Sequence, residues 1–317
     1  MGGSRLLKRF FLRLLFAAFA AAVLWGFVTT PPQFDLPTVY EEERQARTHV
    51  ITPAVDRLWE DSTDVVQRNV DEDAPVLETE GGDILGLMYH DLTEDPSQVH
   101  DWNTTPRNLR DNLVSLMALG YLPLSVEDYI EGNYSLAQDY FIVTFDDGYL
   151  SNLTLAQPVL EALDVPAAVF VITSGVYADH HMSWEELRMA RQTGVLSIYS
   201  HTHTHMNARS VLSEVFLADA RRAEEELSRN LGESEYKILS YPNGAYTRET
   251  MEALKREGYD LVVVQDMPEW YDPETDIKIL VRVNVSGEDT DMLAKANYSR
   301  KRAGLSPLTL PLAENIP

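Results

Sequence analysis

The segment Tyr140–Gly148, with the sequence YFIVTFDDG, joins an unbroken apolar run to two adjacent carboxylates and a glycine. An apolar run of this kind is typical of a strand buried on both faces in a parallel sheet. Side chains that follow such a strand lie at its carboxyl end, where parallel barrels have their active sites. Asp146 and Asp147 are therefore candidate site residues, although a solvent-exposed Asp-Asp-Gly turn would have the same sequence.

Strand and helix patterns alternate on both sides of this segment. The predicted strands are Ile84–Tyr89, Tyr140–Phe145, Ala167–Thr173, Leu196–Ser200, Tyr236–Tyr241, Asp260–Val264 and Lys278–Val285. The predicted helices are Pro106–Leu119, Leu153–Leu163, Trp184–Thr193, Leu212–Leu231 and Arg248–Glu257. Ser183 and Glu186 form a capping box before the third helix. Seven strands with interleaved helices predict an α/β fold, an irregular or incomplete (β/α) barrel rather than a sandwich.

Charge and composition exclude several classes of protein. The 317 residues include 26 Lys and Arg against 50 Asp and Glu, a formal net charge of −24. Such a surface repels phosphate backbones, which argues against nucleic acid as a partner. The chain contains no cysteine, which excludes disulfides, thiolate nucleophiles and Cys-ligated zinc.

The N-terminus has the layout of an export signal. Arg5, Lys8, Arg9 and Arg13 precede Leu14–Val28, a run without charge. No small-x-small cleavage site follows this run, so an uncleaved membrane anchor is favoured over a cleaved signal peptide. The basic flank would keep the N-terminus in the cytoplasm and place the rest on the periplasmic or extracytoplasmic face of the membrane.

The expected domain organisation has four parts. Residues 1–30 form the signal anchor or signal peptide, and residues 31–82, which are acidic and interrupted by prolines, form a spacer. Residues 83–285 form the catalytic domain, and residues 286–317 form a C-terminal extension.

A histidine motif follows the predicted strand Leu196–Ser200. His201 and His205 are four residues apart, so on a helical turn both imidazoles would face the same side and could hold one divalent metal. His203, between them, would point elsewhere. Two imidazoles and one carboxylate leave coordination positions open, as in catalytic metal sites. The adjacent aspartates allow one to bind the metal and the other to act as a base.

Thr144–Gly148 and His201–His205 resemble the first two motifs of the polysaccharide deacetylase family, the NodB-homology or carbohydrate esterase family 4 enzymes. The resemblance covers roughly residues 83 to 285 and implies a distorted (β/α)7 barrel. It also implies removal of N-acetyl groups from glycans with one divalent metal. The donor set of two imidazoles and one carboxylate suits Zn²⁺ first, with Co²⁺, Ni²⁺ or Fe²⁺ as alternatives. On this resemblance Asp147, His201 and His205 bind the metal, and Asp146 is the general base.

A third motif, Tyr241–Gly244 (YPNG), resembles the Tyr-Pro-Tyr-Gly version of one branch of this family. The resemblance implies that the backbone N–H of Asn243 stabilises an oxyanion and that Tyr241 and Pro242 border the substrate. The arginine that the family usually has upstream of this proline is absent. Arg282, in the last predicted strand, is a candidate replacement that would orient Asp146, and a salt bridge at the barrel rim is an equally good interpretation.

The catalytic histidine that the family usually has late in the chain is also absent, because no histidine follows His205. Leu87–His90 (LMYH) instead resembles the opening of the poly-N-acetylglucosamine deacetylase branch, whose barrel is circularly rearranged. The resemblance implies that His90 is the general acid, while a structural histidine below the barrel mouth is the alternative.

Trp270 lies where the family has an acidic and aromatic motif. It would line the acetyl pocket, stack on a sugar or pack in the core. His180 and His181 are expected at the surface or at the substrate rim.

The expected function is metal-dependent hydrolysis of N-acetyl groups on an N-acetylhexosamine polymer, with an acetylated polysaccharide as partner. Two alternatives stay open: a catalytically impaired glycan-binding or scaffolding protein on the same fold, and a deacetylase of peptidoglycan or O-acetyl esters.

Overall fold

The computed structural model describes residues 82–273, 276–285, 287 and 291–308. The predicted anchor of residues 1–30 and all but the last residue of the predicted spacer lie outside these residues. Within the described part of the chain, no helix is both long enough and apolar enough to cross a bilayer.

The described residues form ten short strands. They are β1 (Ile84–Tyr89), β2 (Asp91–Leu92), β3 (Asn103–Thr104), β4 (Leu122–Pro123), β5 (Tyr140–Phe145), β6 (Ala167–Val171), β7 (Leu196–Ser200), β8 (Ile238–Ser240), β9 (Leu261–Val264) and β10 (Lys278–Asn284). Seven of them close a parallel ring in the order β1, β10, β9, β8, β7, β6, β5 and back to β1. The predicted (β/α)7 barrel is therefore present. Because β1 lies between β5 and β10, the first strand joins the ring beside the last.

Seven α-helices occur in the same residues. They are α1 (Pro106–Ala118), α2 (Val126–Glu131), α3 (Gln157–Leu163), α4 (Trp184–Gln192), α5 (Ser213–Leu231), α6 (Arg248–Arg256) and α7 (Met292–Arg302). The predicted capping box is present, since the Ser183 side chain accepts the Glu186 N–H and Glu186 accepts the Ser183 N–H. Such caps satisfy N–H groups that a helix cannot pair internally.

Two helices and one local distortion differ from the sequence prediction. The sequence patterns did not predict α2 or α7, and α7 lies in the segment treated as an extension beyond residue 285. Residues Asn152–Ala156 form a π-helical turn ahead of α3, so the α-helix predicted from Leu153 begins only at Gln157.

Arg300 of α7 is 3% exposed and both Asp139 oxygens accept hydrogen bonds of 2.8 Å from its Nη1. This buried ion pair fixes α7 to the end of the barrel where β5 begins.

Side chains alternate along each strand, so that one set lies inside the barrel and the other packs beneath the helices. On β5, Phe141, Val143 and Phe145 pack in an outer cluster, whereas Ile142 packs in a cluster inside the ring. Successive side chains of a strand point to opposite faces, so Thr144 and Asp146 share the inward face of Ile142. The same strand thus carries part of the core and delivers Asp146 to the barrel mouth.

Candidate active site

Asp146 and Arg282 form a buried ion pair inside the barrel. Arg282 Nη1 donates to Asp146 Oδ1 and Nη2 donates to Oδ2, each at 2.7 Å. Both residues are 3% exposed, which contradicts the alternative that Arg282 makes a salt bridge at the rim. The parallel bonds hold both carboxylate oxygens in one plane, as expected of the partner that orients Asp146.

Neighbouring residues make this geometry possible. Arg282 Nη1 also donates to Thr144 Oγ1 at 2.8 Å, and Nη2 donates to Ser240 Oγ at 2.9 Å. Gly86 is the strand partner of Arg282, and a Cβ on Gly86 would lie 2.5 Å from the carbonyl oxygen of Val281 and 3.0 Å from Arg282 Cγ. The absence of a side chain at Gly86 therefore leaves room for the backbone and the Cγ of Arg282.

The ion pair keeps Asp146 ionised. Burial alone would raise the pKa of this carboxyl group, but the charge and hydrogen bonds of Arg282, with His201 and His90, hold the pKa well below its usual range. Asp146 is therefore a carboxylate at neutral pH.

Asp147, His201 and His205 form the candidate metal site. Asp147 Oδ1 lies 3.6 Å from His201 Nε2 and 3.7 Å from His205 Nε2. One ligand atom from each of the three residues lies within 4.8 Å of the other two. These separations are too long for hydrogen bonds but suit ligand atoms around a shared cation, because metal–ligand bonds are about 2.0–2.2 Å long.

The tautomer of His201 supports the same interpretation. His201 Nδ1 lies 2.8 Å from the carbonyl oxygen of Ser240, so Nδ1 carries the proton and Nε2 presents its lone pair towards Asp147. Burial lowers the pKa of His201, which favours the neutral form that binds metals. A carbonyl that orients the second ring nitrogen is the usual support of a histidine ligand. The donor set fits a divalent cation.

The helical turn predicted for residues 201–205 is wrong. The segment is a loop in which Thr202 has φ 67° and His205 has φ 56°. Thr202 is fully buried, and its Oγ1 accepts the Met206 N–H at 3.2 Å. Two left-handed residues, rather than the four-residue repeat of a helix, bring the two imidazoles together, with ring centroids 4.9 Å apart.

Asp219 of α5 holds the loop of residues 201–205 through hydrogen bonds. This residue was not identified from the sequence. Its Oδ2 accepts the N–H groups of His203 and Thr204 at 3.0 and 3.1 Å, and its Oδ1 accepts the Thr204 hydroxyl at 2.9 Å. The His203 ring lies against Thr173 Oγ1 at 2.9 Å and Glu226 at 3.5 Å. His203 therefore points away from the ligand cluster, as predicted.

His90 follows β1 directly, at the end of the barrel that carries the cluster. Its ring meets Trp102 edge-on with centroids 5.1 Å apart, and its buried Nδ1 has no hydrogen-bond partner in the described part of the chain. Burial lowers the pKa of His90, while the charges of Asp146 and Asp147 oppose that shift. Burial and the charge of Asp147 raise the pKa of Tyr149, a residue that was not identified from the sequence.

The turn after β8 places the backbone of Asn243 at the same barrel end. Asn243 is exposed and has φ 59°, inside the turn Pro242–Gly244. Pro242 is buried and begins this turn, and contact of its ring with substrate stays a prediction.

The prediction that Tyr241 contacts substrate is wrong. The residue is 1% exposed, its ring stacks on Phe216 with centroids 5.3 Å apart, and its hydroxyl lies 3.4 Å from Thr250 Oγ1. The physical reason is strand alternation: Ser240 faces into the barrel, so Tyr241 faces the helices.

The remaining candidates are not members of the ligand cluster. Trp270 is half-buried, packs against Tyr246 with ring centroids 6.4 Å apart and lies beneath the Arg248 guanidinium at 5.4 Å. These contacts favour packing, and a role in substrate binding stays a prediction. His180 and His181 are both exposed or half-exposed, and the His181 ring stacks on Tyr149 at 4.6 Å.

Comparison with known proteins gives a consistent result. Residues 134–262 match the family model described as polysaccharide deacetylase. A Bacillus subtilis protein named for the polysaccharide deacetylases, YxkH, is 29% identical over 214 residues, 63% of this chain and 71% of that protein. The poly-beta-1,6-N-acetyl-D-glucosamine N-deacetylase of Staphylococcus epidermidis is 22% identical over 254 residues, 71% of this chain and 86% of the relative. The solved structure of IcaB from Ammonifex degensii superposes with a TM-score of 0.58 and 26% identity, over 68% of this chain and 96% of IcaB.

Proposed function

We propose that this chain, in which residues 134–262 match the polysaccharide deacetylase family model, is a metal-dependent N-deacetylase of an N-acetylhexosamine polymer, converting N-acetyl groups to free amines and acetate. The observation that carries the proposal is the pairing of two sites at one end of the barrel. One is the ligand cluster of Asp147, His201 and His205, and the other is the Asp146–Arg282 ion pair. A metal-dependent hydrolase of an amide bond uses both a ligand set and a base.

The first chemical role belongs to the ligand cluster. Asp147, His201 and His205 would hold a divalent cation, which would supply Lewis acidity for the acetyl carbonyl and for a nearby water. The donor set of two imidazoles and one carboxylate suits Zn²⁺ and also Co²⁺, Ni²⁺ or Fe²⁺.

Asp146 accepts the proton of the attacking water. The Arg282 pair keeps the carboxylate ionised and fixed, and Asp146 Oδ2 lies 3.8 Å from His201 Nε2, so the base faces the ligand cluster. A carboxylate with a lowered pKa is a weak base, so the reaction would be helped by any group that makes the water more acidic.

The backbone N–H of Asn243 stabilises the oxyanion that develops on the acetyl oxygen. A backbone donor can do so whatever side chain the residue carries, and a comparable donor in other enzymes contributes roughly 3 kcal/mol. His90 then protonates the departing nitrogen as the C–N bond breaks. Its unpartnered, buried Nδ1 leaves the ring free of competing hydrogen bonds at that atom within the described residues.

The polymer class is supported by the relatives. The Staphylococcus epidermidis relative is named for poly-beta-1,6-N-acetyl-D-glucosamine, and the position of His90 at the start of the domain matches the branch resemblance in the sequence. We further propose that the domain acts outside the cytoplasmic membrane, anchored through residues 1–30, on the basis of the basic and then apolar pattern there.

A substrate panel tests the proposal. The purified full chain, loaded with Zn²⁺, would be incubated with β-1,6-linked N-acetylglucosamine oligomers, chito-oligomers and an O-acetylated xylan, and acetate and primary amine would be measured together. Equal amounts of acetate and amine from an N-acetylated oligomer support the proposal. Acetate without amine, from the xylan alone, would establish an esterase instead.

A further inference from the structure

A cavity of about 600 Å³ opens beside the candidate active site. It arises where β9 ends before its neighbour: the last pair in the register joins Val264 to Val281, and β10 continues for three more residues to Asn284. The shorter strand thus leaves a side opening in the barrel wall. Met88 and Arg282 line the inner part of the cavity.

The outer wall of the cavity is α7, which is fixed across the opening. Arg302 Nη1 donates to the carbonyl oxygen of Gln265 at 3.3 Å, and its guanidinium lies 5.5 Å from the centre of the Tyr298 ring. Lys295 Nζ donates to the carbonyl oxygen of Asn284 at 2.8 Å. The helix is therefore tied both to β10 and to the segment after β9, so the cavity is bounded by positioned groups.

Aromatic and polar groups face each other around this space. Trp102 and Tyr298 both line it and are 56% and 51% exposed. Trp102 also touches the His90 ring, so the cavity is continuous with the reaction centre. Exposed aromatic rings beside a few hydrogen-bonding groups are suited to the mixed apolar and polar faces of a sugar ring.

The charges of the lining residues nearly cancel. Lys295 and Arg302 are balanced by Asp266 and Asp291, and the Arg282 guanidinium is already paired with Asp146. The lining of the cavity is therefore nearly neutral, whereas the whole chain has a net charge of −24. It suits an uncharged N-acetylated sugar unit better than a deacetylated, cationic one.

From these observations we propose that the cavity is a second sugar subsite, which holds an uncharged N-acetylhexosamine unit next to the unit that is hydrolysed. The inference rests on the proposed function and makes it more specific. All of the lining residues lie outside residues 134–262, the segment matched by the family model. The subsite would therefore be formed by β10, α7 and Trp102, outside that segment.

The test compares short and long substrates with the full chain. The ratio of kcat/KM for the β-1,6-linked N-acetylglucosamine pentamer to that for the dimer would be measured in the wild type and in Tyr298→Ala. The wild type is expected to prefer the pentamer, and the ratio is expected to fall about fivefold to tenfold in Tyr298→Ala. Tyr298→Phe should keep the wild-type ratio, as should Lys301→Ala, an exposed residue on the same helix that does not line the cavity.

A second variant keeps the test informative if Tyr298→Ala does not fold. Ala294, exposed on α7, lines the cavity, so Ala294→Trp should fill it and lower the same ratio. An unchanged ratio in both Tyr298→Ala and Ala294→Trp, with active enzyme, would overturn the subsite and leave the proposed function standing. Absence of acetate release from every oligomer by the wild type would overturn the proposed function and the subsite together.

Discussion

Arg282 on β10 and Asp146 after β5 lie 136 positions apart in the chain, yet they share two parallel hydrogen bonds of 2.7 Å inside the barrel. The arginine that the family usually has upstream of its third motif is absent here, and Ser240 stands in that region with its hydroxyl accepting from Arg282. The positive charge paired with Asp146 thus comes from a different strand. The first prediction follows from this ion pair.

Replacing Arg282 should impair turnover more than substrate binding. Arg282→Met leaves the Asp146 carboxylate buried without its partner, which should lower the free energy of unfolding by about 3–5 kcal/mol and lower kcat by about 100-fold. Arg282→Lys keeps the charge but not the paired geometry and should recover only part of kcat. Steady-state kinetics with urea unfolding would check both effects. A raised KM with unchanged kcat would contradict the positioning role.

The metal site should depend on His205 and not on His203. His205→Ala removes a predicted ligand, so the full chain should lose most of its bound zinc and its acetate release. His203→Ala, two residues away, should keep both, because the His203 ring lies against Thr173 and Glu226 instead. Metal analysis of the two purified variants makes the comparison. Equal zinc content in both would refute the assigned ligand set.

Asp219 should control metal affinity without taking part in the reaction. Asp219→Ala removes the acceptor of two loop N–H groups and one hydroxyl, so the loop that carries both imidazoles should be held less firmly. Zinc affinity is expected to fall about 10–100-fold, with kcat recovered at saturating zinc. Competition with a chromogenic chelator measures the affinity. If Asp219→Ala binds zinc as tightly as the wild type does, the loop conformation does not depend on Asp219.

His90 should determine the alkaline side of the pH profile. A general acid must carry its proton, so rates fall as pH rises through its pKa, and burial lowers that pKa from the ordinary value of 6.5. In kcat/KM, the fall is therefore expected to begin below pH 6.5. His90→Ala should lower kcat by about 10²–10⁴-fold and abolish this limb, whereas His180→Ala, an exposed histidine, should leave it in place. If the alkaline limb of the pH profile is unchanged in His90→Ala, a different group is the general acid.

Glu224, on α5, should make stability depend on pH away from the active site. Burial raises the pKa of this carboxyl from 4.5 to about 7. The folded state therefore holds its proton where the unfolded state has lost it, and stability falls as pH rises from about 4.5 to about 7. Glu224→Gln should remove this decline and raise Tm at pH 8 by roughly 2–6 °C. An equal Tm difference at pH 4 and pH 8 would contradict the assignment.

Much of the fold was predictable because its strands are simple in pattern. β1, β5 and β7 have the predicted bounds, since each is a short segment rich in apolar residues that is flanked by a helix pattern or a turn. The helix α7 was missed for a physical reason. Its buried face consists of Met292, Ala296 and Arg300, and a face with one large apolar residue and one arginine gives no amphipathic stripe.

The sequence brought the residues of the candidate site together more readily than it indicated their geometry. Sequence order indicated that Asp146, Asp147, His201 and His205 follow strands, and parallel strands bring such residues to one edge. The loop conformation at Thr202 could not be predicted, because a positive φ at a threonine depends on tertiary contacts such as its bond with Met206. The error at Tyr241 was avoidable, because alternation from Ser240 already points it towards the helices.

The most direct test is the initial rate of acetate release from a β-1,6-linked N-acetylglucosamine pentamer by the full chain. The rate would be measured before chelation, after chelation and after zinc is restored, and again for zinc-loaded Asp146→Asn. The account predicts turnover that disappears with the chelator, returns with zinc and falls at least about 100-fold in Asp146→Asn at unchanged zinc content. Turnover that survives both the chelator and Asp146→Asn would contradict it.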